Sequence, residues 1–185
     1  MFIKKSLYFL SIMSLFMMTQ KAYSATQGTL GATSTGSKDI SITINSKVQI
    51  SNIDDYTVAD WSSGDGTLED NDNVCVYSNA GTGQYKITAD SGDGTGSFTL
   101  DSGGTKLDYA VAWNAASGGT FAGGSALSDA TESSTFGGAD TASTSCATAG
   151  DTATVSLQIL QADLEAVSGT TTPFTDTLTL TVTPI

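Results

Sequence analysis

Carboxylates are the most plentiful reactive side chains in this chain, and three groups of them invite a chemical reading. Residues 65–73 carry Asp65, Glu69, Asp70 and Asp72, oxygen donors of the kind a calcium ion takes. An EF-hand loop would need an Asp or Asn and then a Gly where Val74 and Cys75 stand, so the run reads as a solvated acidic turn. Asp54 with Asp55, and Asp163 with Glu165, are carboxylate pairs of the sort that cleave glycosidic bonds when they flank a pocket. The sequence reveals neither pocket nor partner for them. Trp61 and Trp113 have the faces to stack on a sugar, but both fall in alternating apolar runs and read as core. Residues 91–96 are glycine-rich, yet no Lys and no helix follows, so a hairpin turn accounts for them better than a phosphate loop. No catalytic residue, metal or cofactor is expected.

The inventory also excludes. The chain has no His and no Arg, which removes His-based acid–base catalysis, Ser-His triads, His metal sites and the usual phosphate clamp. An enzyme is therefore not expected.

The first residues read as an export signal. Lys4 and Lys5 head a short apolar run over residues 7–18, and Ala22, Tyr23 and Ser24 set small residues before a cleavage point ahead of Ala25. Residues 1–24 are thus a signal peptide, and the exported chain is not membrane-spanning. Their removal takes Lys4, Lys5 and Lys21 away and leaves four Lys against 19 acids, a net charge of −15. Such a surface repels nucleic acid and keeps an exported particle soluble. Cys75 and Cys146, alone in an oxidising compartment, most simply form one disulfide. Closing about 70 residues stabilises by roughly 4 kcal/mol through the lost entropy of the unfolded chain.

The elements that must position these residues are short strands. Period-two alternation, or apolar runs between Gly, Asp, Asn and Ser, marks strands over residues 47–53, 56–61, 73–78, 84–89, 97–100, 107–113, 152–160 and 175–183. Leu107, Tyr109, Val111 and Trp113 fall on one face of one run. Leu178, Leu180 and Val182 fall on one face of the last, with Thr on the other. One helical turn is expected near residues 161–164. Residues 115–150 are rich in Gly, Ala, Ser and Thr, and a hairpin held to the sheet by Cys146 is expected there. Strands at this spacing predict an all-β, immunoglobulin-like antiparallel sandwich over residues 46–185.

Residues 25–45 stand apart. The segment is a flexible small-residue leader running into an alternating strand, with Ile40, Ile42 and Ile44 on one face. If residues 175–183 form the penultimate strand of the sandwich, no sequence follows to supply the final one. The sandwich is then incomplete, and the alternating strand is its natural filler. It can act within its own domain or be donated to a neighbour, in which case head-to-tail contacts generate a fibre. A self-complemented secreted binding module, lectin or adhesin-like, is the alternative function.

These residues resemble the spore coat U-like (SCPU) secreted pilin domain, which includes subunits of archaic chaperone–usher pili. Thr35-Gly36 followed by Ile40, Ile42 and Ile44 is similar to the family's leader. Cys75 with Tyr85 and Ile87, and Leu107 with Tyr109 and Val111, match two further elements. The most specific match is C-terminal: Phe174, Asp176, Thr177, Leu178, Leu180 and Val182. Val48 stands where the family has its first Cys, so the family's usual first disulfide is missing and Cys146 is left as the partner of Cys75. The resemblance implies a donor strand of Gly36, Ile40, Ile42 and Ile44, and a C-terminal groove strand of Phe174, Asp176, Leu178, Leu180 and Val182. It implies neighbouring pilin subunits, a periplasmic chaperone and an outer-membrane usher as partners. It also implies passage through the periplasm to the surface of a Gram-negative cell, and a role in adhesion or biofilm formation.

Overall fold

Alternation decides most of the strands. In the computed structural model, which describes residues 25–92, 94–167, 169 and 172–185, ten strands follow in order. They are β1 (Val48–Ser51), β2 (Leu68–Ser78), β3 (Tyr85–Ser91), β4 (Thr99–Ser102), β5 (Thr105–Asp108), β6 (Ala110–Asn114), β7 (Ser125–Ala126), β8 (Thr131–Glu132), β9 (Ala153–Ile159) and β10 (Leu178–Pro184). One helix, α1 (Gln161–Ala166), follows β9 where the helical turn was expected. The expected signal peptide and Asp93 lie outside the described residues. The chain divides into one unit ending at Ile44 and another spanning Asn45–Ile185.

In the larger unit a five-stranded sheet runs β1-β2-β9-β6-β7 and a three-stranded sheet runs β10-β3-β8, all antiparallel. A separate hairpin joins β4 to β5 through Gly103 (φ 63°) and Gly104 (φ 94°), a two-residue turn that needs positive φ at both positions. The result is an all-β, immunoglobulin-like antiparallel sandwich. Val74, Val76, Val111, Trp113 and Val155 of the larger sheet pack with Tyr85, Ile87 and Ala89 of the smaller. Trp113 is fully buried and donates its indole N–H to the Tyr85 hydroxyl at 3.1 Å, which satisfies a polar atom that burial would otherwise penalise. The two rings meet edge to face, 6.2 Å apart.

Cys75 lies between Val74 and Val76 and so faces away from that core. It is bonded to Cys146 (S–S 2.04 Å), as the cysteine count implied. The chain before Cys146 adds a rung to β2: Ser78 N–H donates to the Asp140 carbonyl at 2.9 Å, and Asp140 N–H to that of Val76 at 2.8 Å.

Four expectations need correction. Residues 56–61 form no strand, because the ladder of β1 ends at Ser51 and Asn52 adopts φ 64°. The acidic turn over residues 65–73 is mostly strand: Leu68–Val74 pair residue for residue with β9, and backbone bonding outweighs the polarity of the side chains. The run 107–113 breaks at Tyr109, so β5 joins β4 while β6 joins the large sheet. Residues 115–150 make no hairpin of their own. Their two short strands serve different sheets, β7 pairing with β6 and β8 with β3.

In the smaller unit Thr26 and Ser37 exchange both backbone hydrogen bonds, at 3.0 and 2.9 Å, and close a loop. Residues 38–47 belong to no strand, so the expected strand over residues 36–45 has no ladder among the described residues.

Candidate functional site

The last strand of the smaller sheet is unfinished. β10 is bonded to β3 along its whole length, and its other edge has no ladder partner among the described residues. Leu178, Leu180 and Val182 point inward, alternating with exposed Thr179, Thr181 and Thr183. Their neighbours in register on β3 are Ser91, Ala89 and Ile87, exposed by only 3%, 0% and 0%. The β10 row itself is only half-buried. Burial thus fails across a single inter-strand spacing, as expected where a covering strand is missing.

An opening of about 970 Å³ lies beside this edge. Leu178 and Leu180 line one side, Val155 and Leu157 of β9 line the floor, and residues 53–61 run along another side. One end is closed by a second apolar cluster in which Leu107, Ile159 and Leu164 pack with Trp61, Leu68 and Phe174. Trp61 is part-buried there, not in the main core, and donates its indole N–H to the Gly66 carbonyl at 3.0 Å.

The opening is apolar but carries acids. Leu68, Asp70, Asp72, Val74 and Val76 alternate along β2, so Asp70 and Asp72 share the inner face with the core valines. Burial, opposed by a backbone hydrogen bond and aided by Asp54, raises the Asp70 carboxyl. Burial also raises Asp72, and the charges of Asp54, Asp70 and Asp151 add to that effect. Asp72 accepts one hydrogen bond, from the Asp54 N–H at 2.9 Å. Burial and the Asp70 charge push the Tyr56 hydroxyl up. None of the described residues lining the opening is a Lys.

Asp176 anchors the start of the edge strand. Its carboxylate accepts from the Tyr109 hydroxyl at 2.6 Å, the Ser91 hydroxyl at 2.8 Å and the Gly92 N–H at 3.0 Å. Burial first, and Asp176 second, hold the Tyr109 phenol protonated well above the usual tyrosine range.

Of the expected C-terminal residues, Phe174, Asp176, Leu178 and Leu180 line the opening, whereas Val182 packs against the main core, and β10 begins only at Leu178. Phe174 and Asp176 precede it, as plug and anchor. The inner-face position of Asp70 and Asp72 was missed. Their parity with Val74 and Val76 was the signal that could have found it. Ile40, Ile42 and Ile44 are 79%, 82% and 82% exposed. A Cβ on Gly36 would meet the Thr26 carbonyl oxygen at 3.0 Å, so Gly suits the closed loop. No helix among the described residues is long and apolar enough to cross a membrane.

No protein-family model matches the chain. No curated protein matches it. A solved structure described as a chaperone–tip adhesin complex vital for synergistic activation of CFA/I fimbriae biogenesis is similar, with a TM-score of 0.51 at 13% identity. The likeness covers 75% of this chain and 41% of that one, so this chain spans well under half the length of the structure it matches. At that identity the likeness is one of fold.

Proposed function

We propose that this chain is an exported structural subunit of a surface pilus, not an enzyme, and that it polymerises by strand complementation. In this reading residues 36–45 of one copy enter the opening of the next, and Ile40, Ile42 and Ile44 lie against Leu178, Leu180 and the β9 floor. The observation that carries it is the edge of β10, which has no ladder partner among the described residues, above a half-buried apolar row. A segment with the matching period, its three Ile exposed, is present in the same chain. Period two gives register, since a slip of one residue would present Asp39, Ser41 and Thr43 instead. Seating three Ile side chains contributes about 5–9 kcal/mol before ordering costs. The fold likeness to a fimbrial chaperone–adhesin complex supports a pilus-related role, and a periplasmic chaperone and outer-membrane usher are the partners that role calls for. A chaperone would occupy the opening until the incoming strand displaces it. The proposed parts are an export signal at residues 1–24, a leader and donor strand at residues 25–45, and the sandwich at residues 46–185.

The test is assembly. The chain from residue 25 onward should form head-to-tail polymers, visible by electron microscopy and sedimentation, and Ile42→Asp should leave it monomeric with its disulfide intact. Polymers of normal length from that variant would overturn the reading.

A further inference from the structure

Two carboxylates on the inner face of a sandwich are unexpected. Asp70 and Asp72 stand in the same row as Leu68, Val74 and Val76, opposite Leu157 and Val155 of β9. The acids around them offer no compensation. Residues 53–61 bring Asp54, Asp55 and Asp60 to the opening, Asp176 stands at the start of β10, and Asp151 acts on Asp72. The titratable neutral groups there are the Tyr56 and Tyr109 hydroxyls. The row that would cover this face is Ile40, Ile42 and Ile44, with Lys38 one step further along the same face.

An apolar strand laid over ionised carboxylates removes their water and supplies no counter-charge, which favours their protonated forms. We propose, building on the strand-complementation reading, that occupation of the opening is coupled to proton uptake by Asp70 and Asp72, so that acidification promotes assembly. The two residues then act as a gate that keeps the opening wet and hard to fill near neutral pH, and that closes on a neighbour's strand when protonated. The sign follows from linkage: if the occupied state holds the proton more tightly than the empty state, binding strengthens as pH falls through the carboxylate range.

The experiment uses the chain from residue 25 onward carrying Ile42→Asp as receptor, and a synthetic peptide of residues 35–45 as probe. Calorimetric titration runs from neutral to mildly acidic pH, in buffers of different ionisation enthalpy. The expected result is an affinity that rises by up to about tenfold per pH unit for each carboxylate taking a proton, with matching proton uptake. In a receptor also carrying Asp70→Asn and Asp72→Asn, the profile should be flat and neutral-pH binding tight. Affinity independent of pH in the unaltered opening overturns the inference and leaves the strand reading intact. Affinity that weakens on acidification also overturns it, and means that Lys38 pairs with the carboxylates. A peptide that binds at no pH to a receptor folded by near-ultraviolet circular dichroism overturns both. Should the receptor not fold, polymer yield of the chain with an unaltered strand is compared at both pH extremes, with and without the two Asn substitutions. Equal pH dependence in the two overturns the gate.

Discussion

The Tyr109 hydroxyl donates to Asp176 at 2.6 Å, joining the residue between β5 and β6 to the residue that opens the path into β10. The sequence distance is 67 residues, and the bond fixes where the unfinished edge begins. Tyr109→Phe removes one charge-assisted hydrogen bond and leaves Asp176 with Ser91 and Gly92. The expected loss is about 2 kcal/mol, read from urea denaturation.

The same bond has a pH signature. Because folding raises the Tyr109 pKa, its contribution is fully present below the unfolded tyrosine value of about 10 and falls away as pH climbs above it. Tyr85, raised mainly by burial, acts in the same direction. Urea midpoints of the unaltered chain should drop on the alkaline side, and Tyr109→Phe should show a shallower drop. Parallel curves would assign the alkaline loss to other groups.

Core and edge should respond differently. Ile87→Ala, at a site with no exposure, is expected to cost about 3 kcal/mol whether or not the opening is filled. Leu180→Ala should cost less in the free chain, since that side chain is only half-buried, and more once a strand covers it. Thermal unfolding with and without a peptide of residues 35–45 gives both numbers. An unchanged cost for Leu180→Ala would mean that the peptide binds elsewhere.

Removing the bridge tests the largest single constraint. Cys75→Ser with Cys146→Ser frees a separation of 71 residues and is expected to cost about 4 kcal/mol, read as a lower denaturation midpoint. Little change would mean that the rung between β2 and Asp140 holds that region alone.

Much of this was legible where one face is apolar and the other polar. β3, β9 and β10 announced themselves through Tyr85-Ile87-Ala89, Val155-Leu157-Ile159 and Leu178-Leu180-Val182. The first half of β2 did not, because Glu69, Asp70, Asn71, Asp72 and Asn73 are polar on both faces and signal no burial. Their strand state comes from the β9 ladder, reinforced outside by Ser156 bonding Asn71 and Thr154 bonding Asn73, each at 2.8 Å. Those partners lie more than 80 residues away, beyond the reach of any local pattern. β7 and β8, two residues each, depend on long-range pairing in the same way. The edge strand is legible in the sequence through its apolar parity. The acids facing its groove are not, since a polar residue on an inner face carries no apolar signal.

The disulfide also sets how far the molecule can be drawn out. Force applied to the two ends of the chain can straighten only the residues outside the Cys75–Cys146 loop. At about 3.5 Å per extended residue, the 71-residue separation withholds roughly 250 Å of contour length. A single-molecule pulling trace should fall short of full extension by that amount and recover it in reductant. Under load, the subunit is a leash with a large share of its rope tied off.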